Sequence, residues 1–454
     1  MLTYQLQKSP GVPLYEALYR CIRQDILTGR LRPGDKLPSK RTLAEHLEVS
    51  KITVEGAYSQ LLAEGFIRSQ EKVGYFVEAV EGIGPVPAGA AAENQTQAQP
   101  WLVDLTANST QQFPFSVWTR LQREVLLDYG ENLLSPMPNQ GIWELRQAIA
   151  QHLEAFRGMT VDPNTIVVGA GTDFLYNLLI QLLGRDKVYA LEEPGYRKIR
   201  QIYQANGVVC RSAALDGAGV EPESLADAQI LHCSPAHHFP TGLVMPLHRR
   251  QSLLAWAREG RWIIEDDYDS EFRFDGHPLP TLSSLDGGHR VIYINSFSKT
   301  LAPSLRMGYL VLPPELMEVF QRKLGFYGCT VPSFEQYTLA RFLSRGHFEK
   351  HLNRMRKCYK SRRNAVISLL QQSKFAHRLT ILEENAGLHF LVKVDTELTD
   401  QELTGFLSQV GIRVEALSQY CFQDRTDRHI LVVNYSGIRE EQMGEAIRRI
   451  EGLL

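Results

Sequence analysis

Lys299 lies within Ser296-Phe297-Ser298-Lys299-Thr300, and Arg306 follows seven residues after it. The apolar run Val291-Ile292-Tyr293-Ile294 leads into this segment and reads as a buried parallel strand. A lysine at the mouth of a strand suits imine formation with an aldehyde, because burial and nearby cations lower its pKa and free the neutral amine as a nucleophile. The alternative is a surface lysine after a strand, and the neighbours argue against it. Ser296, Ser298 and Arg306 supply two hydroxyl donors and a permanent cation, a set that suits a phosphate. Upstream, Trp262-Ile263-Ile264 delivers Glu265, Asp266, Asp267 and Tyr268 to a strand's carboxyl end, where open α/β sheets place their ligands. A carboxylate there can keep a pyridine nitrogen protonated, and a phenol can hydrogen-bond a ring hydroxyl. Either cluster alone is compatible with ordinary loop polarity; together they point to pyridoxal 5'-phosphate (PLP).

These groups must be positioned by a large α/β unit. Thr165-Ile166-Val167-Val168-Gly169-Ala170-Gly171-Thr172 reads as strand, glycine turn and helix start, and the helix carries Leu175, Leu178, Leu179 and Leu182 on its apolar side. Such a turn lets backbone approach closely, and the helix start attracts an anion. Val188-Tyr189-Ala190-Leu191 is a further strand, followed by Glu192-Glu193-Pro194-Gly195-Tyr196. Glu318 to Leu324 and Phe334 to Leu370 read as helical, the second stretch long and broken near Gly346, ahead of a tail that alternates strand at 388–394, helix at 400–410, strand at 430–433 and a closing helix at 439–453. Along the second stretch Arg354, Arg356, Lys357, Lys360, Arg362 and Arg363 form a basic run, read as a solvated helix face or a secondary contact with DNA or a partner.

The first eighty residues have another character. Leu14, Leu18, Ile22 and Ile26 recur at helical spacing. Ser39 caps a short helix over 40–47, and after a break at Val49-Ser50 a second runs over 51–63, with Val54, Ala57, Tyr58 and Leu61 facing inward. Segments 65–68 and 73–77 read as a two-stranded wing. Two short helices joined by a tight turn can lay one helix in the major groove. Residues 81–100, rich in Gly, Ala, Pro and Gln and poor in apolar bulk, read as a flexible connector. As a coil it spans roughly 25 Å.

The chain of 454 residues is 44% hydrophobic and 22% charged, ordinary for a globular protein, and is long enough for a large core with a small accessory domain. With 49 basic and 51 acidic residues, any surface for nucleic acid must be local. The six cysteines are scattered without CxxC spacing, which argues against a zinc site or disulfide framework and fits a reducing cytoplasm. Neither a signal peptide nor an apolar run of membrane-spanning length is read.

Several of these phrases carry a resemblance. Leu37-Pro38-Ser39-Lys40-Arg41-Thr42-Leu43-Ala44 and Val49-Ser50-Lys51-Ile52-Thr53-Val54 are similar to the GntR winged-helix signature. The Gly-Ala-Gly-Thr turn, Pro-Gly-Tyr, Pro-Thr-Gly at 240–242, Asp-x-Tyr at 266–268 and Ser-x-Ser-Lys occur in the order of a fold-type I, aspartate-aminotransferase-like domain. The fusion in that order resembles the MocR family of bacterial transcriptional regulators. The fold class implied is α/β, an N-terminal winged helix-turn-helix (1–80) joined through the 81–100 linker to an aminotransferase-like domain (101–454).

The resemblance implies Lys299 as the Schiff-base lysine (internal aldimine), with Gly171, Thr172, Ser296, Ser298 and Arg306 at the phosphate. It puts Tyr196 stacked on the ring, Asp266 at the pyridine nitrogen and Tyr268 at the ring hydroxyl. Ser39, Lys40, Arg41, Ser50, Lys51 and Thr53 are placed at the duplex, where lysine and arginine neutralise phosphates and small hydroxyls pin the helix to the backbone. It further implies a cytoplasmic homodimer acting on an operator with two half-sites, with Tyr129 either packing or reaching the neighbour's phosphate site. Two departures stand out. Phe239 occupies the place of the asparagine that aminotransferases commonly set before Pro-Thr-Gly, and Leu431-Val432-Val433-Asn434-Tyr435 lacks the late-strand arginine that clamps a substrate carboxylate. Arg413 and Arg428 are candidates to replace it. No metal is expected, since His237 and His238 lack ligand spacing. The expected function is a regulator responding to PLP or a PLP–amino-acid adduct, possible targets being genes of vitamin B6 synthesis. The alternatives are an active aminotransferase, or a regulator responding to an amino acid such as GABA.

Overall fold

In a computed structural model the chain divides into two compact units, Met1–Gln99 and Pro100–Leu454. The structure describes residues 2–4, 6, 13–79, 101–107, 112–258, 260–274, 279–385, 387–423 and 426–451. The connector over 81–100 lies outside the described residues.

In the first unit, helix Leu14–Leu27 packs its buried Leu18, Ile22 and Ile26 against Lys51–Ala63, whose Val54, Ala57, Tyr58 and Leu61 are inaccessible to solvent. Lys40–His46 completes a three-helix core. Ser39 and Ser50 are N-caps, each accepting from a backbone N–H three residues on, that of Thr42 and of Thr53, at 3.1 Å. The wing strands Ile67–Gln70 and Gly74–Val77 pair antiparallel. A third strand, Lys36–Leu37, joins the outer side of Gly74–Val77, in a stretch whose sequence reads only as a turn.

The second unit is built on an eight-stranded sheet. Its strands are β1 (Ile166–Gly169), β2 (Val188–Glu193), β3 (Val209–Asp216), β4 (Gly219–Val220), β5 (Ile230–Cys233), β6 (Trp262–Asp266), β7 (Val291–Ser296) and β8 (Gly308–Val311). Their spatial order is β1-β8-β7-β6-β5-β2-β3-β4. The run β3-β2-β5-β6-β7 is parallel, while β8 is antiparallel to both β7 and β1. The carboxyl ends of β1, β2, β5, β6 and β7 therefore open on one edge. The central strands are buried on both faces, which explains their unbroken apolar runs: Ile292 and Ile294 enter one core cluster and Tyr293 the other. The expected long helical stretch is two helices, Ser333–Ser344 and His347–Gln372, separated at Gly346, whose φ is +71°. A smaller antiparallel sheet holds Leu379–Leu382, His389–Val394, Ile430–Asn434 and Glu415–Ala416, in that order.

The basic run on His347–Gln372 is largely absorbed by this unit. Arg356, Arg362 and Arg363 donate to the carbonyls of Glu271, Ser436 and Glu384. Tyr129 packs against Tyr337 of its own chain, ring centroids 4.0 Å apart and planes tilted by 32°, with the Arg341 guanidinium over its ring.

Candidate functional site

The carboxyl edge of the sheet encloses a cleft of about 740 Å³. Thr172, Tyr196, Asp266, Tyr268, Ser296, Ser298, Lys299 and Arg306 all line it. Each arrives by a local device. Lys299 follows directly from β7, with Ser296 as that strand's last residue. Asp266 ends β6, and Tyr196 caps the helix Arg197–Ala205 after β2. Arg306 sits in the left-handed region at φ +48°, which turns its side chain back toward the start of helix Thr172–Leu183. Gly171, the N-cap of that helix at φ +82°, is where the guanidinium lies: a Cβ there would stand 3.0 Å from Arg306 Cζ. This position needs glycine for conformation and for space.

Burial pushes the Lys299 amine below its ordinary value, with the Asp269 carboxylate pulling the other way. Asp266 and Asp267 point oppositely, as strand alternation requires. Asp267 is paired in the core with Arg157 and accepts from Tyr293 Oη at 2.6 Å. Asp266 faces the cleft. Its Oδ2 accepts from Tyr176 Oη at 2.5 Å and lies 3.4 Å from His232 Nε2, while Tyr203 Oη meets His232 Nδ1 at 2.7 Å. Its Oδ1 is buried and has no hydrogen-bond partner among the described residues. One oxygen is thus anchored and the other is left for a donor in the cleft.

Tyr268 Oη lies 3.3 Å from His237 Nδ1, which also meets Asp269 Oδ1 at 2.9 Å. Burial, then the Asp269 charge, hold the phenol protonated far above its ordinary range. His237, Asp269 and His389 form a buried trio whose ligating atoms lie within 4.8 Å of one another, a proximity the sequence does not show. His389 Nε2 is 3.1 Å from the Pro240 carbonyl, and burial pushes this histidine down to about 3. Phe239 stands in an aromatic cluster with Tyr196, Tyr268, His389 and Tyr420, ring centroids 5.1–6.3 Å apart.

Sequence reasoning missed several lining residues: Asp173, Tyr176, Glu192, His232, Arg197, Glu415 and Tyr420. Arg197 pairs with Glu415 at 3.0 Å and lies over the Tyr420 ring. Arg413 pairs with Asp104 instead, and neither Arg413 nor Arg428 lines the cleft; the late strand presents Val432 and Asn434 there.

Glu192 accepts from Ser234 N–H at 2.9 Å, but burial, with Asp266 nearby, pushes it up to about 8. A carboxyl that keeps its proton in the folded state loses stability between its ordinary value of 4.5 and about 8, because the unfolded chain releases the proton first as pH rises. Glu192→Gln is therefore expected to melt at a higher temperature than the parent at pH 8–9. The difference should shrink toward pH 5, as pH-resolved thermal melts would show.

In the first unit, Arg41 is exposed and paired with Glu45 at 2.9 Å, and Lys51 is exposed at the start of the second short helix. Lys40 is held by Glu55 at 2.6 Å and lies over the Tyr75 ring, tying the two helices and the wing together. Thr53 Oγ1 is 2.8 Å from Ser50 Oγ. Beside them Ile52 is 81% exposed, an apolar group on the face expected at the duplex.

A winged helix-turn-helix unit and an aminotransferase-type sheet with a lysine at its carboxyl edge define a DNA-binding regulator with an aminotransferase-like domain. Residues 14–77 match the bacterial regulatory proteins of the gntR family, and residues 101–450 match aminotransferase class I and II. The chain belongs to the MocR-type transcriptional regulators, in which a GntR helix-turn-helix precedes an aminotransferase-like domain. It is 36% identical to YhdI, an uncharacterized HTH-type transcriptional regulator of Bacillus subtilis, over 99% of this chain and 97% of that protein. It is 32% identical to the probable rhizopine catabolism regulatory protein MocR of Rhizobium meliloti, over 98% and 94%. Identity to the HTH-type pyridoxine biosynthesis transcriptional regulator PdxR of Corynebacterium glutamicum is 33%, over 88% and 87%. Among solved structures, a multiple substrate aminotransferase from Thermococcus profundus superposes with a TM-score of 0.68 at 23% identity, covering 77% of this chain and 90% of that one. That likeness concerns the fold, whose class I and II members bind PLP. No helix among the described residues is long and apolar enough to cross a membrane.

Proposed function

We propose that this regulator binds PLP in the cleft and uses the bound cofactor, or its adduct with an amino acid, to set how the winged helices engage DNA. The observation that carries the reading is the joint presence of a half-buried Lys299 amine of lowered pKa and an unpartnered buried oxygen on Asp266 in one cleft. The donor set suits PLP. Lys299 would hold the aldehyde carbon, Asp266 Oδ1 the ring nitrogen, Tyr268 the ring hydroxyl, and Tyr196 the ring face. Gly171, Thr172, Ser296, Ser298 and Arg306 would hold the phosphate. When bound, the cofactor supplies an electrophilic carbon and an electron-accepting ring. The chain's own part is to favour the uncharged form of the Lys299 amine by burial and to keep Asp266 anchored through Tyr176 and His232.

Regulation is favoured over turnover by the late strand, whose cleft-lining residues Val432 and Asn434 supply no cation to clamp a substrate carboxylate bidentately. The PdxR relative's name makes vitamin B6 synthesis the first gene target to test. A second reading, an amino-acid effector such as GABA acting through PLP, is favoured by the Arg197–Glu415 pair, which offers both charges that a zwitterion needs. The exposed apolar residues Phe115, Leu126, Leu127, Leu134, Trp143 and Phe326 support a homodimer of the large unit, and we place that dimer in the cytoplasm on an operator of two half-sites. Titration of the purified chain with PLP tests the reading: a saturable visible absorption band is expected, and a colourless protein in excess PLP contradicts it. Transamination with many turnovers would favour the enzyme alternative.

A further inference from the structure

Where the proposed site would receive a phosphate, the cations are already in use. Asp173 Oδ2 accepts from Lys198 Nζ at 2.8 Å and from Arg306 NH2 at 3.1 Å. Asp173 is the second residue of helix Thr172–Leu183, whose first backbone hydrogen bond is Leu175 N–H to Gly171 O; the N–H groups ahead of it have no intrahelical partner. Two cations, one of them the guanidinium packed on Gly171, and a helix start therefore converge around one carboxylate. Burial opposes its ionisation, yet Lys198 and Arg306 hold it below its ordinary value. Lys198, on the neighbouring helix Arg197–Ala205, has no place in the motif reading of the phosphate site.

Resting on the reading of the cleft as a PLP site, we propose that Asp173 is an internal competitor for the phosphate: it occupies Arg306 and Lys198 in the free protein, and a bound phosphate takes over both cations, Lys198 becoming its second cationic partner. The carboxylate then stands as a like charge beside the phosphate and weakens its binding. The domain binds more loosely than its donor set alone would allow, as a sensor that must release its ligand requires. All three side chains are partly exposed, so the exchange of partners needs only rotamer changes and no backbone movement.

The test uses the full chain in two arms. PLP is titrated by absorbance against wild type, Asp173→Asn and Lys198→Ala, and inorganic phosphate alone is titrated by thermal shift against the same three. Asp173→Asn is expected to bind PLP about tenfold more tightly and to gain a larger phosphate-induced rise in melting temperature, while Lys198→Ala loses on both. Equal or weaker binding by Asp173→Asn in both arms overturns the proposal and makes the carboxylate a positioning residue for Arg306. Unchanged binding by Lys198→Ala overturns the part assigned to Lys198. Should wild type form no coloured species, the PLP reading itself fails, and the phosphate arm still decides whether Asp173 competes for these cations.

Discussion

Lys299→Ala removes the visible band expected of the PLP-loaded protein and leaves the fold intact. The amine is the one nucleophile whose loss cannot be offset by the surrounding hydrogen-bond donors, since Ser296, Ser298 and Arg306 would bind the phosphate end and Asp266 the ring nitrogen. Residual PLP should still associate, without the covalent bond and without its absorbance. Near-native melting is expected because truncating a half-buried lysine removes a group whose burial already opposed its charge. A variant as yellow as the parent would move the covalent link to another residue.

The second large effect lies in the first unit. Lys51→Ala and Arg41→Ala should each weaken operator binding by about tenfold at moderate salt and lower the salt slope by about one. The visible band should be unchanged, because the two compact units each carry their own core. Lys40→Ala should differ in kind. Its ammonium bridges Glu55 and the Tyr75 ring, so stability of the winged helix should fall along with DNA affinity. Binding isotherms at several salt concentrations, with melts of the same variants, separate the two cases.

Much of this was legible in the sequence, because contiguous phrases carry both the strand and the group it delivers. The run into Lys299, the Asp-x-Tyr phrase after Ile263-Ile264 and the glycine turn before Thr172 each mark an element and, within a few residues, a polar group that it brings to the cleft. The choice of Asp266 over Asp267 rested on the family's Asp-x-Tyr phrase, strand alternation adding only that one of the two can face the ring. What stayed hidden depends on segments far apart in the chain. Tyr176 reaches Asp266 across 90 positions, and Arg306 reaches Asp173 across 133. Arg197 finds Glu415 across 218. No periodicity marks such pairs, and a buried acid such as Glu192 looks like any loop carboxylate until its surroundings are known. The Lys36–Leu37 strand is too short for any pattern to reveal.

In the proposed function one polypeptide joins a PLP pocket to a promoter-binding head. Its most direct test is a binding isotherm of the full chain on the DNA upstream of its own gene, with and without saturating PLP, alongside Lys299→Ala. PLP is expected to change the affinity or the footprint of wild type and to leave Lys299→Ala as it was. Superimposable wild-type curves with the cofactor demonstrably bound would contradict it.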